Sequence, residues 1–175
     1  MPISLRSFDL SHLPLLSEWL SQPHVAPWYP HPARDLDLAE KPPPAASHAI
    51  IFDDEVAVGY VRWQHVDRVT LDEIGLNEIP ANSVDIDILI GDANCTGKGI
   101  GPQALALLAA EFLRDASVPM LGLTTSVVNT RAHRAFERAG FRIARQYEPS
   151  GLGLCHLMIR DLRDERISPG IEGSR

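Results

Sequence analysis

The sequence predicts one α/β domain built on a mixed sheet. Three observations carry this. Val84, Ile86, Ile88 and Ile90 alternate with Asp85, Asp87 and Leu89, the period of a strand with two unlike faces. Two helical segments, each with its own start or stop signal, are interleaved with the later strands. The 175 residues, 45% hydrophobic and 22% charged, are enough for one core and too few for two ordinary ones.

Residues 2–7 alternate weakly and read as a short strand. Asp9 or Ser11 caps a helix whose apolar positions Leu13, Leu16, Trp19 and Leu20 fall at helical spacing, with Pro14 in its first turn. Residues 23–47 are rich in proline and read as an irregular loop with at most one short helix near 33–40. His48–Phe52 and Val56–Val66 form a hairpin about the Asp53-Asp54-Glu55 turn. A polar, acidic connection over 67–82 leads to the strand at 84–90 and a glycine-rich loop at 97–101. Pro102–Asp115 is an Ala/Leu-rich helix and Met120–Val127 a strand. Asn129 caps a helix that Gly140 ends near Ala139. Phe141–Tyr147 and Leu154–Leu162 are the last strands. Residues 1–162 are the expected domain, and 163–175 a polar, frayed tail.

Sixteen Lys and Arg against 23 Asp and Glu give a net charge of −7, which argues against a general nucleic-acid binder. No apolar run reaches the length of a membrane span, and MPISLRSFDL lacks the pattern of a signal peptide. The only cysteines are Cys95 and Cys155, too few for a disulfide framework or a metal cage, so a reducing cytoplasm is expected. The seven histidines show no ligand spacing, and no metal is expected.

The strongest chemical signal is Gly97-Lys98-Gly99-Ile100-Gly101 between a strand and a helix. Glycines let the backbone approach a ligand, and the helix N-terminus adds its positive dipole end, a pairing suited to pyrophosphate. The pattern is neither a Walker A loop nor a dinucleotide fingerprint, and alone it fits a ligand-free glycine turn equally well. Downstream runs Asn129-Thr130-Arg131-Ala132-His133-Arg134-Ala135-Phe136-Glu137-Arg138-Ala139-Gly140-Phe141.

Together these motifs resemble the GNAT N-acetyltransferase superfamily, whose acetyl-CoA loop reads R/Q-x-x-G-x-G/A and whose later helix reads N-x-x-A-x-x-x-Y-E-x-x-G-F. The resemblance implies the GNAT fold: six or seven strands with helices on both faces, and strands 84–90 and 120–127 diverging to admit pantetheine. It implies acetyl-CoA as co-substrate, held by Ile88, Leu89 and Ile90, by Gly97, Lys98, Gly99, Ile100 and Gly101, and by Asn129 and Phe136. Thr96 stands where Arg or Gln is usual. Phe136 replaces the tyrosine that many members use as general acid, so no acid role falls to it.

Glu18-Trp19-Leu20 and Pro23-His24-Val25-Ala26-Pro27-Trp28-Tyr29 resemble the E-W-L…H-I/V-x-x-W-W/Y stretch of aminoglycoside 6′-N-acetyltransferases. Gly59-Tyr60 and the strand 84–90 match as well, and the resemblance places Asp87, eleven residues before Lys98, at the position of their catalytic aspartate. This implies direct transfer of acetyl to a primary amine of a cationic small molecule. Siderophore-type lysine N-acyltransferases share much of the N-terminal pattern and remain the alternative, as does a non-catalytic CoA-binding module.

An ammonium must lose a proton before it attacks a thioester, and a nearby carboxylate can hold it and accept that proton. Asp87 is the first candidate and Asp85, with the same strand parity, the second. His65–Asp92 carries seven acids against one base, Arg68, which reads as an acidic mouth holding the amine through residues such as Asp72 and Glu73. Arg114–Arg145 reverses the balance and suits nucleotide phosphates. Trp28 and Tyr29 are candidates to stack on the acceptor, or to close the core beneath the loop. The expected partner is a small-molecule amine, with the protein a monomer or homodimer.

Overall fold

A computed structural model describes residues 2–168. One seven-stranded sheet organises it: β1 (Ile3–Ser7), β2 (Ala46–Asp53), β3 (Val56–Val66), β4 (Ser83–Ile90), β5 (Met120–Ser126), β6 (Arg142–Tyr147) and β7 (Cys155–Asp161), in the order β1-β2-β3-β4-β5-β7-β6. Neighbours run antiparallel except β4 and β5, which are parallel and pair only at Val84↔Leu121 and Asp85↔Gly122. Beyond Asp85 the two strands part, and the sheet opens as a wedge.

The helices are α1 (Leu13–Leu20), α2 (Pro32–Glu40), α3 (Arg68–Glu73), α4 (Ile100–Leu113), α5 (Thr130–Arg138) and α6 (Leu162–Ile167). Strand alternation sends Val84 and Ile86 to one face, where they pack with Ile100, Leu105 and Leu108 of α4 and with Phe136 of α5. The opposite face carries two separate clusters. Leu16, Trp19 and Leu20 of α1 cover Ile50, Tyr60 and Leu89, while Leu71, Leu76 and Ile79 cover Met120, Leu157 and Ile159. Asp85 and Asp87 share the face of Leu89, in the strip between these clusters.

Two expectations from sequence are corrected. The connection 67–82 contains α3, capped by Asp67, whose carboxylate accepts from Thr70 N at 2.7 Å. The polar tail expected from Arg163 begins as α6, because Arg166 donates to the carbonyls of Val118 at 2.8 Å and Phe112 at 2.8 Å, satisfying the end of α4 and the turn after it. The rest of that tail, with Pro169 and its two glycines, lies outside the described residues. In the proline-rich loop, α2 spans the place of the expected short helix, preceded by a 3-10 turn at Ala26–Trp28.

Gly91 at the end of β4 locks α1 onto the sheet. A Cβ there would lie 2.0 Å from Trp19 Cγ, inside van der Waals contact. Gly91→Ala is therefore expected to cost at least the ~1–3 kcal/mol of core overpacking. Its denaturant midpoint should fall by that amount, with an unchanged slope.

Candidate active site

The wedge between β4 and β5 opens into a cavity of ≈1170 Å³ that also reaches the proline-rich loop, the glycine loop, α5 and the β6–β7 turn. It is lined by residues of both faces of β4 and β5, and its two ends differ in chemistry.

At one end, the loop after β4 turns through a 3-10 turn, Ala93–Cys95, capped by Asp92. Gly97 and Gly99 then adopt left-handed φ of 76° and 80°, which glycine reaches without steric cost. Gly99 is the N-cap of α4, so the N–H groups of Ile100 and Gly101 have no acceptor within the helix. Apart from neighbouring residues of the chain and helix, nothing lies within 4 Å of a Cβ built at Gly97 or Gly101, so the backbone is open to an approaching ligand. Arg131, Arg134 and Arg138 of α5 also line the cavity. Free N–H groups, a helix N-terminus and guanidinium groups make a fit for a pyrophosphate. Arg145, counted from sequence with the basic flank, instead pairs with Glu78. Lys98 is exposed and does not line the cavity, whereas Gly97, Gly99, Ile100 and Gly101 do.

Along the wedge, Ile88, Leu89 and Ile90 line the cavity from β4. Asn129 caps α5, its Oδ1 accepting from Ala132 N at 3.2 Å, and faces the cavity. Phe136 lines it with a buried hydrocarbon ring and has no proton to give. Cys95 also lines it, but burial first and then the Asp92 carboxylate push its thiol up, away from a nucleophilic thiolate.

At the other end, β3 and β4 pair so that Arg62 lies opposite Asp87 and Gln64 opposite Asp85. Arg62 Nη2 donates to Asp87 Oδ2 at 2.6 Å, and the guanidinium is mostly buried while Asp87 stays half-exposed. Asp85 sits half-buried on the cavity wall where β4 and β5 separate. Burial, and then the Asp87 carboxylate, push its carboxyl up to about 7 against the pull of Arg62. Asp35 of α2 joins this end, its carboxyl also raised by burial and by Asp87.

The proline-rich loop is tied to β4 by two side chains. Tyr29 Oη donates to Ile88 O at 3.0 Å, and His24 Nε2 lies 2.9 Å from Ile90 O. Tyr29 thus fixes the loop with its hydroxyl and offers only its ring to the cavity. Trp28 stands at the mouth, 38% exposed.

The structure brings Asp85, Asp87, Trp28, Tyr29 and the glycine loop together and leaves out much of the acidic stretch. Asp72 and Glu73 do not line the cavity; they sit on α3, where Asp72 pairs with Arg68 at 2.9 Å. Asp67 caps that helix, Glu78 pairs with Arg145, and Asp92 caps the turn after β4. The expected substrate role of Asp72 and Glu73 is therefore corrected: replacing both by their amides is expected to change kcat/KM less than about twofold, as for exposed charges. Steady-state kinetics on the best acceptor amine measures this. Sequence reading missed Arg62, Asp35 and Tyr147, whose hydroxyl is 2.5 Å from Thr124 Oγ1 on the cavity wall.

Among the described residues no cluster of three or more His, Cys, Asp or Glu is placed to hold a metal ion. Among the described residues no helix is long and apolar enough to cross a membrane.

A family model described as an acetyltransferase (GNAT) domain matches residues 9–148. Aminoglycoside N(6′)-acetyltransferase type 1 of Klebsiella pneumoniae is 27% identical over 148 residues, covering 79% of this chain and 73% of that protein. The crystal structure of aminoglycoside acetyltransferase AAC(6′)-Ib with coenzyme A and kanamycin superposes with a TM-score of 0.82 at 21% identity, over 97% of this chain and all (100%) of that one. An aminoglycoside N(6′)-acetyltransferase from Legionella pneumophila superposes with a TM-score of 0.75 at 21% identity, over 93% of each chain. At this identity the structures establish a shared fold.

Proposed function

Because the chain belongs to the GNAT acetyltransferase family, we propose that it transfers acetyl from acetyl-CoA to a primary amine of a cationic, aminoglycoside-like small molecule. One observation carries this above all. One continuous cavity joins an anion cradle at Gly97–Gly101 to a carboxylate pair at Asp85 and Asp87 through the gap where β4 leaves β5. A long substrate with a phosphorylated end and a reactive thioester end fits that gap. Its pyrophosphate would meet the cradle, and its acyl end would reach Asp85 and Asp87. Asn129 and Phe136 line its path, and the backbone of Ile88–Ile90 stands ready to orient the thioester.

The acceptor enters from the side of Trp28, Tyr29 and Asp35. Three carboxylates there, Asp35, Asp85 and Asp87, face Arg62 and Arg34, so this end favours a cation. Holding amine and thioester side by side supplies rate by proximity, and no covalent enzyme intermediate is needed. The kinship of the three named relatives, all aminoglycoside N-acetyltransferases, supports the substrate class. Both cysteines are free, as fits a cytoplasmic protein.

The test is a screen of acetyl-CoA turnover against aminoglycosides, polyamines and hydroxylysine. Preference for an aminoglycoside supports the proposal; preference for hydroxylysine moves the chain to the lysine acyltransferases. CoA binding without turnover leaves a binding module.

A further inference from the structure

We propose that the Thr125 hydroxyl donates a hydrogen bond to the sulfur of CoA as the thioester breaks, and so holds the leaving thiolate. This rests on the acetyltransferase function proposed above and names the group that serves the departing sulfur.

The register of the wedge points to this residue. β4 and β5 last pair at Asp85↔Gly122, and counting on along both strands sets Ile88 level with Thr125 across the opened gap. A thioester oriented by the Ile88–Ile90 backbone therefore passes Thr125. By strand alternation Thr125 shares the β5 face of Leu121 and Leu123, which pack with Phe136 of α5. It is 7% exposed, yet it lines the cavity.

Other hydroxyls on the cavity wall are turned away or already engaged. Thr124 and Ser126 belong to the opposite face of β5, and Thr124 Oγ1 lies 2.5 Å from Tyr147 Oη. Tyr29 Oη donates to Ile88 O, and Thr96 Oγ1 to Ala93 O at 2.8 Å. Phe136 offers only its hydrocarbon ring. The Thr125 hydroxyl makes no hydrogen bond among the described residues. Its cross-strand neighbour is His156 of β7, whose Nδ1 is buried without a partner. Two polar groups left unpaired side by side are rare in a protein interior and call for a group from outside the chain.

The step balances as follows. The acceptor R–NH3⁺ loses one proton, which ends in the solvent. The amine lone pair attacks the thioester carbon and forms the C–N bond. The C–S bond breaks with its electron pair on sulfur. The nitrogen gives up its second proton to water, and the thiolate takes one from water. Thr125 keeps its own proton throughout. The products are the amide, the free CoA thiol and one released proton. A thioester sulfur is a weak acceptor and a thiolate a strong one, so the bond strengthens only as the charge appears, which is what lowers a barrier.

Two measurements test the assignment. In the first, the ultraviolet absorbance of the thiolate is followed with pH for the protein saturated with free CoA, less that of the protein alone. The titratable groups around this point are His156 and His133, whose rings meet at 4.7 Å on one face, and Asp87 on the other; none of them gives a thiolate band. The midpoint of the CoA thiol should rise by about one pH unit or more in Thr125→Val and return to within ~0.3 of wild type in Thr125→Ser. Thr124→Val should not move it. In the second, kcat with acetyl-CoA and kanamycin should fall ~10–100-fold in Thr125→Val and recover in Thr125→Ser, with KM for acetyl-CoA within about twofold of wild type. If the valine variant does not fold, Thr125→Ala reads the same midpoint. A midpoint unmoved by loss of the hydroxyl overturns the assignment whatever happens to kcat, as does an equal shift in Thr124→Val. A wild type that binds CoA but acetylates no amine fails the proposed function alone, and the midpoint still decides for or against Thr125. A chain that binds no CoA overturns both.

Discussion

Gly99→Asp is expected to weaken acetyl-CoA binding at least about a hundredfold while leaving the fold intact. Gly99 holds φ at 80°, and its Cβ would find only Gln103 Nε2, at 3.8 Å. Aspartate enters this left-handed region more readily than most residues, so the strain stays near ~1–2 kcal/mol and the fold should survive. Its carboxylate, however, would stand at the N-terminus of α4, among the N–H groups that form the cradle. Unit charges of like sign about 4 Å apart repel by ~4 kcal/mol at an effective dielectric near 20, roughly a thousandfold in affinity. Calorimetric titration should show at least a hundredfold weakening for the folded variant. Unchanged affinity would remove the phosphates from Gly97–Gly101.

The second large effect belongs to Asp87→Asn. The substitution keeps the side-chain shape but removes the anion opposite Arg62, leaving that mostly buried guanidinium without its 2.6 Å partner. An acceptor ammonium then meets an uncompensated positive charge in place of a neutral pair. Truncating one partner of a desolvated charge pair costs about 2–5 kcal/mol, so kcat/KM should fall by roughly 30-fold to several thousandfold. The loss should appear in kcat/KM for the amine. Acetyl-CoA affinity should stay near wild type, because the cradle lies at the other end of the cavity. Steady-state kinetics with both substrates varied separates these terms.

These two substitutions also mark how far the sequence could be read. The glycine loop and the shared face of Asp85 and Asp87 follow from local rules. Glycines between a strand and a helix predict an open backbone, and a period of two fixes which side chains share a face. Asn129 as the cap of α5 is legible for the same reason. Arg62 was not, because its meaning depends on the β3–β4 register, which no local pattern sets. Only when Arg62 falls opposite Asp87 does a strand cation become part of the site.

The acidic stretch failed in the opposite way. Charge counted along the chain assumes that residues 67–92 share a surface. The chain folds 68–73 into a helix with its own cation, Arg68, and brings Arg145 across from β6 to Glu78. Net charge over a segment does not survive such local pairing. Tyr29 shows a subtler limit: its place beside the cavity was legible, but the bond of its hydroxyl to Ile88 O requires loop and strand to be folded together. In the C-terminal segment, Arg166 reads as one more polar residue until the carbonyls at the end of α4 are in place to receive it.

The most direct test of acetyl transfer at this cavity is a single incubation of the purified chain with acetyl-CoA and kanamycin. Free thiol and product mass are followed together. Direct N-acetylation predicts one CoA thiol released for each kanamycin made heavier by one acetyl group. This release should be absent without the amine and lost in Gly99→Asp. No acetylated product from kanamycin or any other amine, at acetyl-CoA concentrations that saturate binding, would contradict it.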